Sequence, residues 1–124
     1  MAESCLCEAR RAIFTCSGGS NVGQLANAAG RELTAQGYGR ISCLAGITAS
    51  IRGITASAQG ADAIVSIDGC SLECCRKSLE LCGFQPDLCV VITELGVKKS
   101  PDLSISEEEL RIVVDAIKGQ MAGI

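Results

Sequence analysis

Ala12-Ile13-Phe14-Thr15-Cys16-Ser17-Gly18-Gly19-Ser20-Asn21-Val22 decides how this chain folds. Its first five residues read as a short buried strand, and Ser17 to Asn21 reads as a turn. Beyond the turn, Val22, Leu25, Ala26, Ala29 and Leu33 recur at the spacing of one helix face. Asn21 with Gln24 reads as the capping pair that starts this helix, and Gly37-Tyr38-Gly39 as its end. A strand, a glycine-rich turn and an amphipathic helix form the opening half of a parallel α/β unit.

The alternation continues outward from that stretch. Arg40 to Leu44 is the expected second strand. Ala45 to Gln59 is expected to form a single helix, carrying the echo Ile47-Thr48-Ala49-Ser50 and Ile54-Thr55-Ala56-Ser57. Ala63 to Ile67 is the third strand, ending at Asp68-Gly69-Cys70, and a helix is expected from Ser71 to Leu81 with Gly83 as its stop. Leu88 to Ile92 is the fourth strand, and Glu94 to Ser104 reads as loop. Ser106 and Glu109 form a capping box for the last helix, and Ile105 is placed to staple onto Leu110. Leu110, Val113, Val114, Ile117 and Met121 make its inner face. Four apolar strands separated by helices require right-handed crossovers. The expected fold is a single three-layer α/β domain with a four-stranded, mostly parallel sheet of order 2-1-3-4, Rossmann-like or flavodoxin-like.

A chain of 124 residues suits one domain. Residues 1–10 are expected to form a flexible tail and residues 11–124 the domain. Hydrophobic residues make up 48% and charged residues 20%, which excludes a disordered chain. Three aromatics, Phe14, Tyr38 and Phe84, are too few for a base-stacking surface. Eleven basic residues against fourteen acidic ones leave a net charge of −3, the wrong sign for a general nucleic-acid binder. The absence of His removes the commonest general base and every metal site that needs imidazole. No segment approaches the length of a signal-peptide core or a bilayer span, so a cytoplasmic chain with reduced thiols is expected, off the membrane.

Nine cysteines then need sorting. Cys16, Cys43 and Cys70 stand at or near the carboxyl ends of three expected strands, on the edge where open parallel sheets bind ligands. Cys74 lies one turn into the following helix and leans back towards Cys70. Leu72, Cys75, Leu79 and Cys82 share one helix stripe, so Cys75 and Cys82 read as small core residues, as does Cys89 within the fourth strand. Four convergent thiolates suit one Zn²⁺ per chain. Gly18, Gly19 and Ser20 offer loop amides, and Lys98 or Lys99 a cation, as an anion or ligand loop beside a negatively charged centre. Cys5 and Cys7 fall on the tail, with no role expected.

The motifs also carry a resemblance. Cys16-Ser17-Gly18-Gly19-Ser20-Asn21-Val22-Gly23-Gln24-Leu25-Ala26-Asn27, then Cys43-Leu44-Ala45-Gly46-Ile47, then Ile67-Asp68-Gly69-Cys70 with Cys74, then Thr93-Glu94-Leu95-Gly96-Val97-Lys98-Lys99, appear in order. Together they resemble the DGC-domain family, a small prokaryotic family named for its Asp-Gly-Cys motif and described as zinc-binding. The resemblance runs from about Ala12 to Lys118 and implies a zinc site on Cys16, Cys43, Cys70 and Cys74. Cys5, Cys7, Cys75, Cys82 and Cys89 lie outside the family pattern. The resemblance supplies no reaction.

Three functions follow as expectations. A four-cysteine zinc site leaves no open position for water, so it would be structural, sensing or metal-handling rather than hydrolytic. A thiol redox centre would use Cys16, whose helix N-terminus suits a nucleophilic sulfur, with Cys70 or Cys74; four cysteines also permit an iron–sulfur cluster. Phosphatase chemistry is excluded because Val22 stands where such loops need Arg, and the loop lacks the Lys of a nucleotide P-loop. A homodimer or a protein partner would suit the high aliphatic content.

Overall fold

The computed structural model describes residues 10–124. The expected tail and the cysteines at positions 5 and 7 lie outside the described residues, apart from Arg10. Among the described residues, four strands and five α-helices alternate: β1 (Arg11–Thr15), α1 (Asn21–Ala35), β2 (Arg40–Ile41), α2 (Leu44–Thr48), α3 (Arg52–Gln59), β3 (Ala63–Asp68), α4 (Cys74–Leu81), β4 (Leu88–Val91) and α5 (Glu107–Met121). A short 3-10 helix, Ile92–Leu95, follows β4 directly.

The sheet is parallel throughout and ordered β2-β1-β3-β4, as the alternation of strand and helix signals requires. β1 and β3 lie at the centre in five-residue register, Arg11 opposite Ala63 through Thr15 opposite Ile67. Every residue of β3 is buried, because helices cover both faces. On one face α1 and α5 seal a core of Ile13, Val65, Ile67, Leu25, Leu33 and Ile117. The helix face read from the spacing in α1 is the buried one, and Val22, Leu25, Ala26, Ala29 and Leu33 are at most 1% exposed. On the other face Phe14, Ile64, Ile47, Ala58, Cys75 and Leu79 close a smaller core beneath α2, α3 and α4.

The boundaries differ from the sequence expectation in three places. The stretch from residue 45 to 59 is two helices rather than one. The break falls at Ser50, whose φ of 60° ends α2 in the left-handed region. The seven-residue echo therefore does not form one face. Instead α2 turns back on α3, and Gly46, lacking a Cβ, leaves room for the Ile54 side chain. β2 shrinks to two residues, because Cys43 already serves as the N-cap residue of α2. α4 starts at Cys74 rather than Ser71, after a turn closed by the Glu73 N–H donating to the Cys70 carbonyl. At the last helix Ser106 Oγ accepts from the Glu109 N–H at 3.1 Å, the first half of the expected capping box, while Ile105 is exposed; three glutamates occupy the first turn, where the helix dipole favours negative charge.

Candidate thiol site at the carboxyl edge

The strand order sets Cys43, Cys16 and Cys70 side by side on one edge of the sheet, after β2, β1 and β3. Cys16 continues the ladder, its N–H donating to the Ile67 carbonyl at 2.9 Å. Cys16 and Cys70 are both half-buried and pack against the core under α1 and α5. Cys43 and Cys74, at the starts of α2 and α4, are exposed.

Backbone contact draws this edge together. A Cβ on Gly23 would stand 2.7 Å from the Gly18 nitrogen and carbonyl oxygen, and a Cβ on Gly69 would stand 2.7 Å from the Gly23 nitrogen and the Val22 carbonyl carbon. The loop after β1, the first turn of α1 and the loop after β3 therefore stack at a separation that only glycine allows. The central glycine of Asp68-Gly69-Cys70 is thus a packing residue that sets Cys70 beside the start of α1.

The polar residues of the loop have assigned partners. Ser20, rather than Asn21, is the N-cap of α1, and its Oγ accepts from the Gly23 N–H at 3.0 Å. Gln24 Nε2 donates to the carbonyls of Ser17 and Gly18. Asn21 does something the spacing did not reveal. Its Nδ2 donates to the Lys98 carbonyl at 2.8 Å, its Oδ1 accepts from the Ser100 N–H at 2.6 Å, and its own N–H donates to the Ser100 carbonyl. This clamp fixes the segment after β4 on top of α1. Lys99 Nζ then lies 3.4 Å from Cys70 Sγ. Of the two lysines, Lys99 reaches the sulfur, while Lys98 contributes its backbone carbonyl. The Gly18 N–H points at Cys16 Sγ at 3.3 Å, and Gly19 is exposed. Each half-buried sulfur on the edge thus faces a hydrogen-bond donor.

Asp68 is 2% exposed and serves α4. Its carboxylate accepts from the Cys75 N–H at 2.7 Å, the Arg76 N–H at 3.0 Å and the Ser66 hydroxyl at 3.3 Å. It replaces the missing side-chain cap of Glu73, the residue before α4, which lies in the left-handed region at φ 53°. Burial pushes the Asp68 carboxyl above the usual carboxylate range, while the hydrogen bonds from Cys75, Arg76 and Ser66 pull against that shift. Arg76 holds Glu73 and Glu80 in ion pairs, and so braces the turn between Cys70 and Cys74.

The remaining cysteines sort differently from the stripe expectation. Cys75 is fully buried, and burial pushes its thiol up to about 12. Cys82 and Cys89 are exposed, not core residues. α4 begins at Cys74 and ends at Leu81, so Leu72 and Cys82 fall outside its helical stripe, and Leu72 is also exposed. Cys89 sits on the outermost strand, whose first half is not covered.

Thiolates are soft donors suited to zinc and to iron–sulfur clusters. Among the described residues, however, no three His, Cys, Asp or Glu side chains stand close enough together to hold a metal ion. The four cysteines share the edge without forming a ligand shell in this arrangement. Among the described residues, no helix is long and apolar enough to cross a membrane.

The family model described as the DGC domain matches residues 12–117. The protein described as anaerobic and virulence modulator AnvM, from Pseudomonas aeruginosa, is 33% identical over 87 residues. That alignment covers 70% of this chain and 66% of the relative's length. No solved structure matches the chain. With its motifs on one edge and the family model spanning nearly the whole domain, this chain belongs to the DGC-domain family.

Proposed function

We propose that the chain is a thiol-based regulatory protein whose reactive centre is Cys70, with Cys74 as its partner thiol. The observation that carries this reading is the Lys99 ammonium 3.4 Å from Cys70 Sγ, held there by the Asn21 clamp. A cation at that distance stabilises negative charge on sulfur as it attacks an electrophile. The backbone between the two cysteines supports the same reading. The Glu73 N–H to Cys70 carbonyl bond closes a turn, and Glu73 is a left-handed non-glycine residue at its end. With a hydroperoxide as oxidant, the Cys70 sulfur attacks one peroxide oxygen and the other leaves as water or alcohol, giving a sulfenic acid. The Cys74 sulfur then attacks Cys70, water leaves and a disulfide forms, two electrons having passed to the peroxide. The name of the P. aeruginosa relative, an anaerobic and virulence modulator, suits a site that reads the redox state of its surroundings.

A second reading is zinc held by Cys16, Cys43, Cys70 and Cys74. The placement of three of these residues after adjacent strands favours it. It requires Cys43 and Cys74 to swing inward on binding, and it couples metal affinity to the folding of those loops.

One preparation separates the two. The full chain is purified without oxygen, its metal content measured, and the thiols mapped by mass spectrometry before and after one equivalent of hydrogen peroxide. The redox reading expects metal-free protein and a Cys70–Cys74 disulfide, replaced by a trapped sulfenic acid in Cys74→Ser. One zinc per chain, lost in Cys70→Ser and kept in Cys82→Ser, overturns it in favour of the metal site. Bound iron with visible absorbance overturns it in favour of a cluster.

A further inference from the structure

The two sulfurs of the redox pair are not equivalent. Cys70 is half-buried and packs against the core under α1 and α5, whereas Cys74, the first residue of α4, is exposed. Ser71 and Leu72 lie between them and are both exposed, Leu72 at 59%. The turn therefore presents Cys74 to solvent and keeps Cys70 on its inner side. Cys70 is also the pinned member, because Gly69 before it stacks on the Val22–Gly23 backbone with no room for a Cβ.

Charge divides the pair in the same sense. Lys99 Nζ stands 3.4 Å from Cys70 Sγ, and among the described residues no hydrogen-bond donor reaches Cys74 Sγ. A helix N-terminus would ordinarily favour negative charge on Cys74. Here the Asp68 carboxylate accepts the Cys75 and Arg76 N–H groups at 2.7 and 3.0 Å, so these first-turn amides of α4 already serve another acceptor. The guanidinium of Arg76 is held by Glu73 and Glu80. The arrangement of donors and cations thus favours a departing charge on Cys70 over one on Cys74.

A disulfide that reads an oxidant has to be reopened, and thiol–disulfide exchange is the class of reaction that does so. Building on the redox reading of this site, we propose that an external thiol reduces the Cys70–Cys74 disulfide by attacking Cys74, with Cys70 leaving as the thiolate beside Lys99. The incoming thiolate bonds to Cys74 Sγ as the Cys70–Cys74 bond breaks, and the electron pair of that bond departs on Cys70. A second thiolate then attacks the external sulfur of the mixed disulfide and frees Cys74. The two external thiols leave as a disulfide, two electrons have passed to the site, and both cysteines regain protons from solvent. Cys70 is the nucleophile of the oxidising half and the leaving group of the reducing half, and Lys99 faces the same charged sulfur in both.

The test starts from the full chain oxidised with diamide, which makes the disulfide without a peroxide. Reduced glutathione is added, the reaction is quenched in acid at early times, and tandem mass spectrometry locates the glutathione. Glutathione on Cys74 with Cys70 free, in about tenfold excess over the reverse, supports the proposal. Lys99→Met should slow the reduction by about two- to fivefold, while Lys98→Met, which removes the same charge from the same loop, should leave it unchanged. Thermal melts followed by circular dichroism show that both variants are folded. The same time course with reduced thioredoxin tells a protein dithiol from a small thiol by the faster reduction, with the Lys99→Met slowing expected for both. Glutathione on Cys70, an even split, or equal rates in the two lysine variants overturns the assignment and leaves the redox reading standing. No Cys70–Cys74 disulfide with either diamide or peroxide overturns both.

Discussion

The two edges of the sheet are made from the same four strands and differ in what their loops do. At the carboxyl edge the loops bind each other: Gly18, Gly23 and Gly69 stack backbone on backbone, Asn21 grips the Lys98–Ser100 segment, and Asp68 caps α4. At the amino edge the loops leave a cavity bordered by Arg10 and Arg40, while the Arg11 guanidinium turns to the other face and donates to the Ile124 carbonyl. Strand polarity explains part of the contrast. Parallel crossovers aim helix N-termini at the carboxyl edge, where amides meet sulfur and carboxylate, and helix C-termini at the other, where cations are favoured. The rest is loop packing. A pinned loop holds a side chain at a chosen spot, and an open one leaves room for a ligand.

The largest expected effect comes from breaking the pinned edge. Gly69→Ala places a methyl 2.7 Å from the backbone of Val22 and Gly23, neither of which can yield as a side chain could. A loss of about 2 to 3 kcal/mol in urea unfolding is expected, as for an overpacked core. The equivalent change at Gly37, where nothing lies within 4 Å, costs only the strain of its φ of +85° and should destabilise less. Equal losses at the two positions would erase the distinction between the edges.

Next in size is Asp68→Ala, which removes the acceptor of two N–H groups at the start of α4 and is expected to cost about 1 to 2 kcal/mol. Asp68→Asn sharpens the point through pH. Burial raises this carboxyl above its ordinary 3.8, so charging it opposes folding. Its contribution is complete below the ordinary value and declines as pH rises through the raised one. The stability of wild type relative to Asp68→Asn should therefore fall from acid towards neutral pH, and a rise would reverse the assigned balance of burial over hydrogen bonding.

Smaller effects concern reactivity rather than stability. Lys99→Met should slow alkylation of Cys70 by about two- to fivefold at neutral pH while leaving the melt unchanged. Cys75, buried with its thiol pushed up to about 12, should resist the same reagent until the chain unfolds. The smallest effect belongs to the open edge: Arg40→Gln should alter stability by no more than about 0.5 kcal/mol. A larger loss would mean that the exposed Arg40 side chain is built into the fold.

Periodicity and turn chemistry made the sheet order, the buried face of α1 and the shared edge of Cys16, Cys43 and Cys70 legible before any coordinates. These features depend on neighbours within a turn or a crossover, and such neighbours are written in spacing. The break at Ser50, the exposure of Cys82 and Cys89, the packing role of Gly69, the choice of Lys99 over Lys98 and the grip of Asn21 on residues 77 and 79 positions away were not legible. Each is decided by which distant backbone passes close by. A residue's spacing states the face it occupies on its own element, but only the packed chain determines what stands opposite that face, and chemistry depends on the pair.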